Sequence, residues 1–319
     1  MANIDHARIA VLIPCYNEEV VVAQVVHGFR DALPDARIFV FDNNSTDATR
    51  ANALAAGAIV RHVARPGKGN VVRRMFADVD ADIYVLVDGD ATYHAASAPD
   101  LVEKLVEQSL DMVVGTRVHE HDDAYRRGHQ FGNRLLTGAM TRIFGGTFSD
   151  MLSGYRVFSR RFAKSFPAMS RGFEIETELT IHALELRMPY GEMATPYGTR
   201  PEGSTSKLST YSDGMRILTT IIKLFAIERP LQFYGVLAGV FAAIALVLGI
   251  PLFATYLESG LVPRFPTAIL STGLVMLSAI SFVTGVILET VTIGRRETKQ
   301  LHYLAVGASF SSNGEDASR

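Results

Sequence analysis

Two stretches near the C-terminal end, LQFYGVLAGVFAAIALVLGIPLF (231–253) and PTAILSTGLVMLSAISFVTGVIL (266–288), carry no charged residue. A bilayer core takes about 20 apolar residues as helix, so each is long enough to cross one. The alternative is a pair of buried core helices, but two adjacent uncharged runs of this length are rare in soluble domains. Arg216, Lys223 and Arg229 precede the first run, and Arg295, Arg296 and Lys299 follow the second. The segment between them has one base, Arg264, and one acid, Glu258. Positive flanks stay on the cytoplasmic side, so both termini and everything before residue 231 are expected there, with a short loop outside. Just before the first run, Met215, Leu218, Ile221, Ile222 and Phe225 recur at helical spacing. That pattern predicts an amphipathic helix in the membrane interface, or one packed on a soluble domain.

The remaining sequence has the balance of a soluble domain. Over all 319 residues the formal net charge is −2, with acids and bases mixed, which argues against a nucleic-acid binder. Cys15 is the sole cysteine, so no intrachain disulfide forms and a reducing compartment is expected. The first apolar stretch, residues 9–13, is too short for a signal-peptide core and meets Pro14. The tail GASFSSNGEDASR (307–319) is small and polar, and is expected to be disordered.

Up to residue 114 the apolar pattern alternates between short β-branched runs and helical segments. Strands are predicted at 9–13, 37–41, 58–63, 82–87 and 112–114, with helices at 20–33, 45–56, 70–78 and 101–108. The helix after the second strand is expected to take its N-cap near Ser45. Alternation of this kind implies a mostly parallel sheet flanked by helices, with ligands at the carboxyl ends of the strands. The loops after the strands carry the polar chemistry. They are PCYNEE (14–19), DNNSTD (42–47), RPGKGN (65–70) and DGD (88–90).

Asp88 and Asp90, separated by Gly89, place two carboxylates near one point, a costly arrangement unless a cation neutralises it. Mg²⁺ or Mn²⁺ binds one or two carboxylates together with substrate phosphates, which points to a metal-bridged diphosphate. The bland alternative is an acidic turn capping the next helix. Asp42 is suited to a ribose hydroxyl or a base edge, whereas Asn44 and Ser45 fit plain turn and cap roles. Gly67, Lys68 and Gly69 resemble a phosphate loop without the full P-loop pattern, and Lys68 alternatively lies on the surface. In GFEIETEL (172–179), Glu176 and Glu178 either orient a ligand or face solvent, while His182 on the same helix is expected to be structural. Arg160 and Arg161 are expected to be solvated or ion-paired.

PCYNEE, DNNSTDAT, GKGNVVRR, VDGDATY, DMLSGYRVFSR (150–160) and RPEGSTSKL (200–208) occur in this order. In combination they resemble family-2 glycosyltransferases of the GT-A (Rossmann-like) fold, over about residues 8–210. The nearest resemblance is to polyprenyl-phosphate glycosyltransferases, such as dolichol-phosphate mannose synthases and bacterial undecaprenyl-phosphate glucosyltransferases. The resemblance implies that Pro14, Tyr16 and Glu18 line the nucleotide, and that Asp42 contacts the nucleoside. It implies that Asp88, Gly89 and Asp90 hold the metal and the donor diphosphate, with Lys68 beside them. Arg117, in VVGTR, would lie near the acceptor phosphate, and Arg126 and Arg127 in a second phosphate-binding segment. Asp150 matches the acid of the D-x-x-S-G-Y-R segment, which continues through Gly154, Tyr155 and Arg156. Arg200, Ser206 and Lys207 match a signature near the membrane face. Thr92 stands where dolichol-phosphate mannose synthases often have a glutamine that completes the metal site. His129 stands near the place of a serine that helps hold the acceptor phosphate.

The expected architecture is therefore a cytoplasmic GT-A domain (1–207), amphipathic interface helices (208–230), a two-helix transmembrane hairpin (231–291) and a cytoplasmic polar tail (292–319), in the cell inner membrane. The expected reaction is metal-dependent, inverting transfer of a sugar to undecaprenyl or dolichyl phosphate for envelope glycan or glycoprotein synthesis. UDP-glucose, UDP-N-acetylhexosamine and GDP-mannose all remain open as donors, with a UDP-sugar favoured. Two-span relatives often assemble, so a homo-oligomer is also open. A processive polysaccharide synthase would need a Q-x-x-R-W motif, and this chain has no tryptophan. A non-catalytic scaffold would be expected to lose some of these motifs, and the lipid-facing features argue against a protein or soluble acceptor.

Overall fold

The structure, a computed structural model, describes residues 7–119, 147–172, 174–201 and 210–307, with the single positions 138, 142 and 145. Arg126, Arg127, His129, Ser206, Lys207 and the tail from residue 308 onward lie outside the described residues. Two compact units emerge: Met1–Leu218 with Lys299–Arg319, and Thr219–Thr298.

In the first unit the strands are β1 (Ile9–Cys15), β2 (Arg37–Asp42), β3 (Ile59–His62), β4 (Ile83–Leu86), β5 (Met112–His119), β6 (Arg156–Ser159) and β7 (Tyr190–Tyr197). Its helices are α1 (Val22–Ala32), α2 (Thr49–Ala55), α3 (Lys68–Asp78), α4 (Ala98–Glu107), α5 (Arg160–Ser165) and α6 (Ile175–Glu185). The strands form one sheet in the order β3-β2-β1-β4-β6-β5-β7. β1 pairs in parallel with β2 and β4, β2 with β3, and β5 with β7. β6 runs antiparallel to both neighbours, β4 and β5. It therefore carries the segment before Arg156 across to the carboxyl end of β4.

The period of two along the strands splits the core into two layers. Val11 and Ile13 of β1 pack with Val85, Val113 and Val157 against Val22, Val26 and Phe29 of α1 and Leu101 and Leu105 of α4. Ala10 and Leu12 face the other way, with Phe39, Phe41, Tyr84 and Phe158, onto Val72, Met75 and Phe76 of α3 and Leu179 of α6. Central strand β4 is buried along its length and edge strand β3 is largely exposed.

Several predicted boundaries move. Helix α2 begins at Thr49 with Ala48 at its N-cap, not near Ser45. The Ser45 hydroxyl instead accepts the Asn17 N–H at 2.9 Å, tying two loops together. Helix α3 starts two residues early, at Lys68. Strand β5 runs on to His119, so Arg117 lies within a strand, where it pairs with Thr195 of β7.

The helix α7 (Thr210–Glu228) leads towards α8 (Pro230–Ser259) and α9 (Phe265–Ala305). The last two are long and apolar enough to cross a membrane, with mean hydropathies of 2.6 and 2.0 in their most apolar windows. Only 11% and 6% of those windows is buried, so they are not packed as the core helices of a soluble domain. Within the second unit, the Ser278 hydroxyl donates to the Ala238 carbonyl at 2.9 Å and the Ser271 hydroxyl to the Ala245 carbonyl at 3.0 Å. Small hydroxyl residues used in this way bring helices close where lipid is the solvent. Arg295 pairs with the buried Glu228 at 3.1 Å in the same unit. In the first unit, Lys299 pairs with Glu185 at 2.6 Å, and the Tyr303 hydroxyl donates to Asp111 at 2.7 Å.

Candidate active site

The first two loops spend most of their polar groups on each other. Asn17, at φ 53°, accepts the Thr46 N–H at 2.8 Å through its side-chain oxygen. The Glu18 N–H donates to the Thr49 hydroxyl at 2.7 Å, and Glu19 accepts the Ala48 N–H at 2.8 Å. The Asn43 amide donates to the carbonyls of Val63 and Arg65, and its oxygen accepts the Gly67 N–H at 2.7 Å, which ties in the third loop. Asp42 is buried at the end of β2, accepting the Ser45 N–H at 3.2 Å and facing His62 at 3.5 Å. Tyr16 remains 47% exposed above this floor.

Asp88 and Asp90 follow β4. A Cβ on Gly89 would lie 2.6 Å from the Cys15 sulfur, so only glycine fits between the two acids. A Cβ on Gly154 would run into the Asp88 carboxylate. Asp90 is buried, and burial followed by the charge of Asp88 pushes its pKa up, with Arg200 opposing. Its oxygens accept the Thr92 hydroxyl at 2.6 Å and the Arg200 guanidinium. Thr92 thus steadies Asp90. Among the described residues no cluster of three or more His, Cys, Asp or Glu is placed to hold a metal.

Lys68 lies inside, not on the surface: its side chain is 8% exposed, and its ammonium pairs with both Asp88 and Glu176. Burial opposes its charge, but the two carboxylates prevail and raise its pKa. Glu176 and Glu178 are likewise both buried, not solvent-facing. The glycines beside Lys68 serve close packing, because a Cβ on Gly67 or Gly69 would collide with the carbonyl of Arg171 or Ser170.

Arg117 makes a fork to Asp150, Nε to Oδ2 at 2.7 Å and Nη2 to Oδ1 at 2.8 Å. Its guanidinium also lies over the Tyr197 ring, 5.6 Å from the centroid. Burial works against its charge, yet the Asp150 bonds leave the pKa raised. Arg156 does not join this cluster. It is fully buried and ties the preceding loop, through the Ser153 carbonyl at 2.9 Å, to helix α6, through the Thr180 hydroxyl at 2.9 Å. Burial brings its pKa down to about 10. Tyr93 and Tyr197 are the residues the motif analysis missed. They form a lone antiparallel bridge, and the Tyr93 hydroxyl accepts the Gly154 N–H at 2.8 Å. Tyr93 had a signal, since it ends the VDGDATY motif; Tyr197 had none before the β5–β7 pairing set it beside Arg117.

Residues 10–166 match the family described as Glycosyl transferase family 2. Over 250 residues the chain is 34% identical to glycosyltransferase AglJ of Haloferax volcanii, spanning 78% of this chain and 81% of that protein. The chain belongs to glycosyl transferase family 2. This glycosyl transferase is also 57% identical over 124 residues to protein RfbJ of Shigella flexneri, spanning 39% of this chain and 96% of that one. Its GT-A fold is shared with glucosyl-3-phosphoglycerate synthase of Mycobacterium tuberculosis, solved with Mn²⁺, UDP-glucose and phosphoglyceric acid. The TM-score is 0.57 at 24% identity, over 70% of this chain and 81% of that one. The strand-end placement of the acids and bases is that of an α/β sheet that binds its ligand at one edge.

Proposed function

We propose that this glycosyl transferase moves a sugar from a nucleotide sugar, a UDP-sugar by preference, to a polyprenyl phosphate. The observation that carries the reading is the meeting at one sheet edge of the Asp88 and Asp90 carboxylates and the Arg117 fork, in a chain with two exposed apolar helices. The donor side is supported by the family and by a shared fold whose solved representative holds UDP-glucose with Mn²⁺.

The carboxylate pair suits a divalent cation. It offers only hard oxygen donors, and Gly89 and Gly154 keep side chains out of the space around it. Asp88 and Asp90 would hold Mg²⁺ or Mn²⁺, with the remaining coordination left to diphosphate oxygens and water. When bound, the ion would stabilise the charge on the leaving nucleoside diphosphate. Pro14, Tyr16, Glu18 and Asp42 would line the nucleoside, with Lys68, Arg200, Ser206 and Lys207 on the donor side.

The attacking group is an oxygen of the lipid phosphate. Its second pKa is ~6, so it is already largely anionic at neutral pH and needs little general-base help. It needs to be held, and Arg117, with its Nε–Nη2 side on Asp150, would turn its Nη1–Nη2 end to the phosphate oxygens, with Arg126 and Arg127 assigned to the same task. Both Asp150 oxygens lie on Arg117, which favours a positioning role for that acid over a base role. A single in-line displacement inverts the anomeric carbon. The apolar helices would keep the enzyme at the membrane that holds the isoprenoid tail, with the catalytic unit and both termini in the cytoplasm.

Purified protein in detergent, with undecaprenyl phosphate, Mg²⁺ or Mn²⁺ and a panel of nucleotide sugars, tests this by mass spectrometry of the lipid product. One donor is expected to give a lipid-linked monosaccharide, and Asp90→Asn to lose at least about a hundredfold in rate. Donor hydrolysis without glycolipid would overturn the acceptor, and selectivity for GDP-mannose would overturn the UDP preference.

A further inference from the structure

Helix α6 is buried on every side, and two glutamates in its first turn use that burial in different directions. Residues two apart on a helix face away from each other. Glu176, its side chain 6% exposed, pairs with the Lys68 ammonium. Glu178 accepts the N–H groups of Met169 at 2.8 Å and Ser170 at 2.7 Å. The carbonyls of Ser170 and Arg171 in turn fill the space a side chain would need at Gly69 and Gly67, and the Gly69 N–H donates to the Arg171 carbonyl at 3.2 Å. The Arg73 guanidinium secures the same loop through the Ala168 carbonyl at 2.7 Å. Lys68 is thereby held twice, at its ammonium by Glu176 and at its backbone by the loop that Glu178 ties down.

Stability does not account for this arrangement. A buried Glu176 and a half-buried Asp88 around one buried ammonium leave a net negative charge partly out of water, and such clusters seldom stabilise a fold better than apolar side chains of the same volume. The cluster ends at Asp88, which places it at the reactive edge.

We propose that Glu176 is a positioning residue that acts through Lys68: by sharing the Lys68 ammonium it limits how strongly that ammonium competes for Asp88, and so tunes the affinity of the Asp88 and Asp90 pair for a divalent cation. Glu178 supports the same setting through the backbone. The inference rests on the cation site assigned under Proposed function. With Glu176 neutralised, Lys68 falls wholly to Asp88 and the cation binds more weakly. With Lys68 neutralised, the competitor is gone and the cation binds more tightly.

Mn²⁺ titration of the full chain in detergent, followed by electron paramagnetic resonance with and without UDP, reads the affinity directly, with Asp90→Asn as the control for the site. Glu176→Gln is expected to raise the Mn²⁺ Kd about tenfold and Lys68→Gln to lower it by a similar factor. General damage would instead weaken both variants. In the Lys68→Gln background, Glu176→Gln should change the Kd less than about twofold, since sites that act through one another are not additive. An unchanged Kd in Glu176→Gln, or its full effect persisting without Lys68, overturns the inference while leaving the cation site in place. Should Glu176→Gln fail to fold, weaker binding in Lys68→Gln alone would overturn it. Absence of Mn²⁺ binding in the unaltered protein would instead remove the cation site itself, and the inference with it.

Discussion

Gly89 shows how far a single missing side chain reaches. It stands between the two acids at a point where the Cys15 sulfur, the Ile13 side chain and the Pro14 carbonyl would crowd any Cβ. Gly89→Ala is expected to cost about 1–3 kcal/mol by overpacking and to displace the acids on either side. Adding Cys15→Ala removes the closest clash, so the double variant should melt above the sum of its parts, as thermal unfolding would record. Motif matching could locate the Asp88 and Asp90 pair, because acids that close a buried strand stand out in a linear pattern. It could not tell that Lys68 is buried, because its second partner, Glu176, comes from a helix far along the chain. Nor could it tell that Arg156 faces inward. Arginine in a motif looks the same whether its donors meet a ligand or, as here, the Ser153 carbonyl and the Thr180 hydroxyl.

At the scale of elements, the parallel half of the sheet was readable from its β-branched runs, and the ends of those runs placed the loops. The later half was not, because β6 and β7 are set by pairing partners distant in sequence. The start of α2 shows a related limit: Ser45 has the chemistry of an N-cap, yet its hydroxyl is committed to Asn17. Helix α6 supplies a test. His182 is buried in it, its Nε2 3.1 Å from the Ser165 hydroxyl, with Lys299 and Glu185 as nearby charges. Burial first, and Lys299 second, bring its pKa from 6.5 down to about 3. Between those values the unfolded chain binds a proton that the folded chain refuses, so stability rises with pH across this window. The contribution is intact above pH 6.5 and is lost progressively as the pH falls towards 3. Melting temperatures at pH 7.5 and 5.0 should therefore differ more in the unaltered protein than in His182→Gln; an equal difference would show that His182 does not carry this acid sensitivity.

For the whole molecule, the exposed apolar surfaces of α8 and α9 set the expectation of a membrane hairpin, and the charge of their flanks sets the expectation for its direction, which labelling tests. The chain's one cysteine, Cys15, is buried, so an introduced thiol can be read against a quiet background. In intact cells, Leu261→Cys is expected to react with a membrane-impermeant maleimide. Glu297→Cys is expected to react only after permeabilisation. The opposite pattern would invert the topology, and labelling of both in intact cells would place residue 297 outside.

The antiparallel strand β6 has a consequence for assembly. It lies between β4 and β5 in space but follows both in the chain, so the sheet cannot be laid down in the order of synthesis. The seam at the middle of the sheet closes only when residues 156–159 return, a non-local pairing of the kind that slows folding. The groups that steady the reactive edge also come long after the acids and Arg117 in the chain. Gly154 packs against Asp88, Asp150 grips Arg117, and Arg200 reaches Asp90 from 110 residues away. The reactive acids thus emerge early, while Gly154 and Arg200, which pack against and pair with them, come from parts of the chain made well after them.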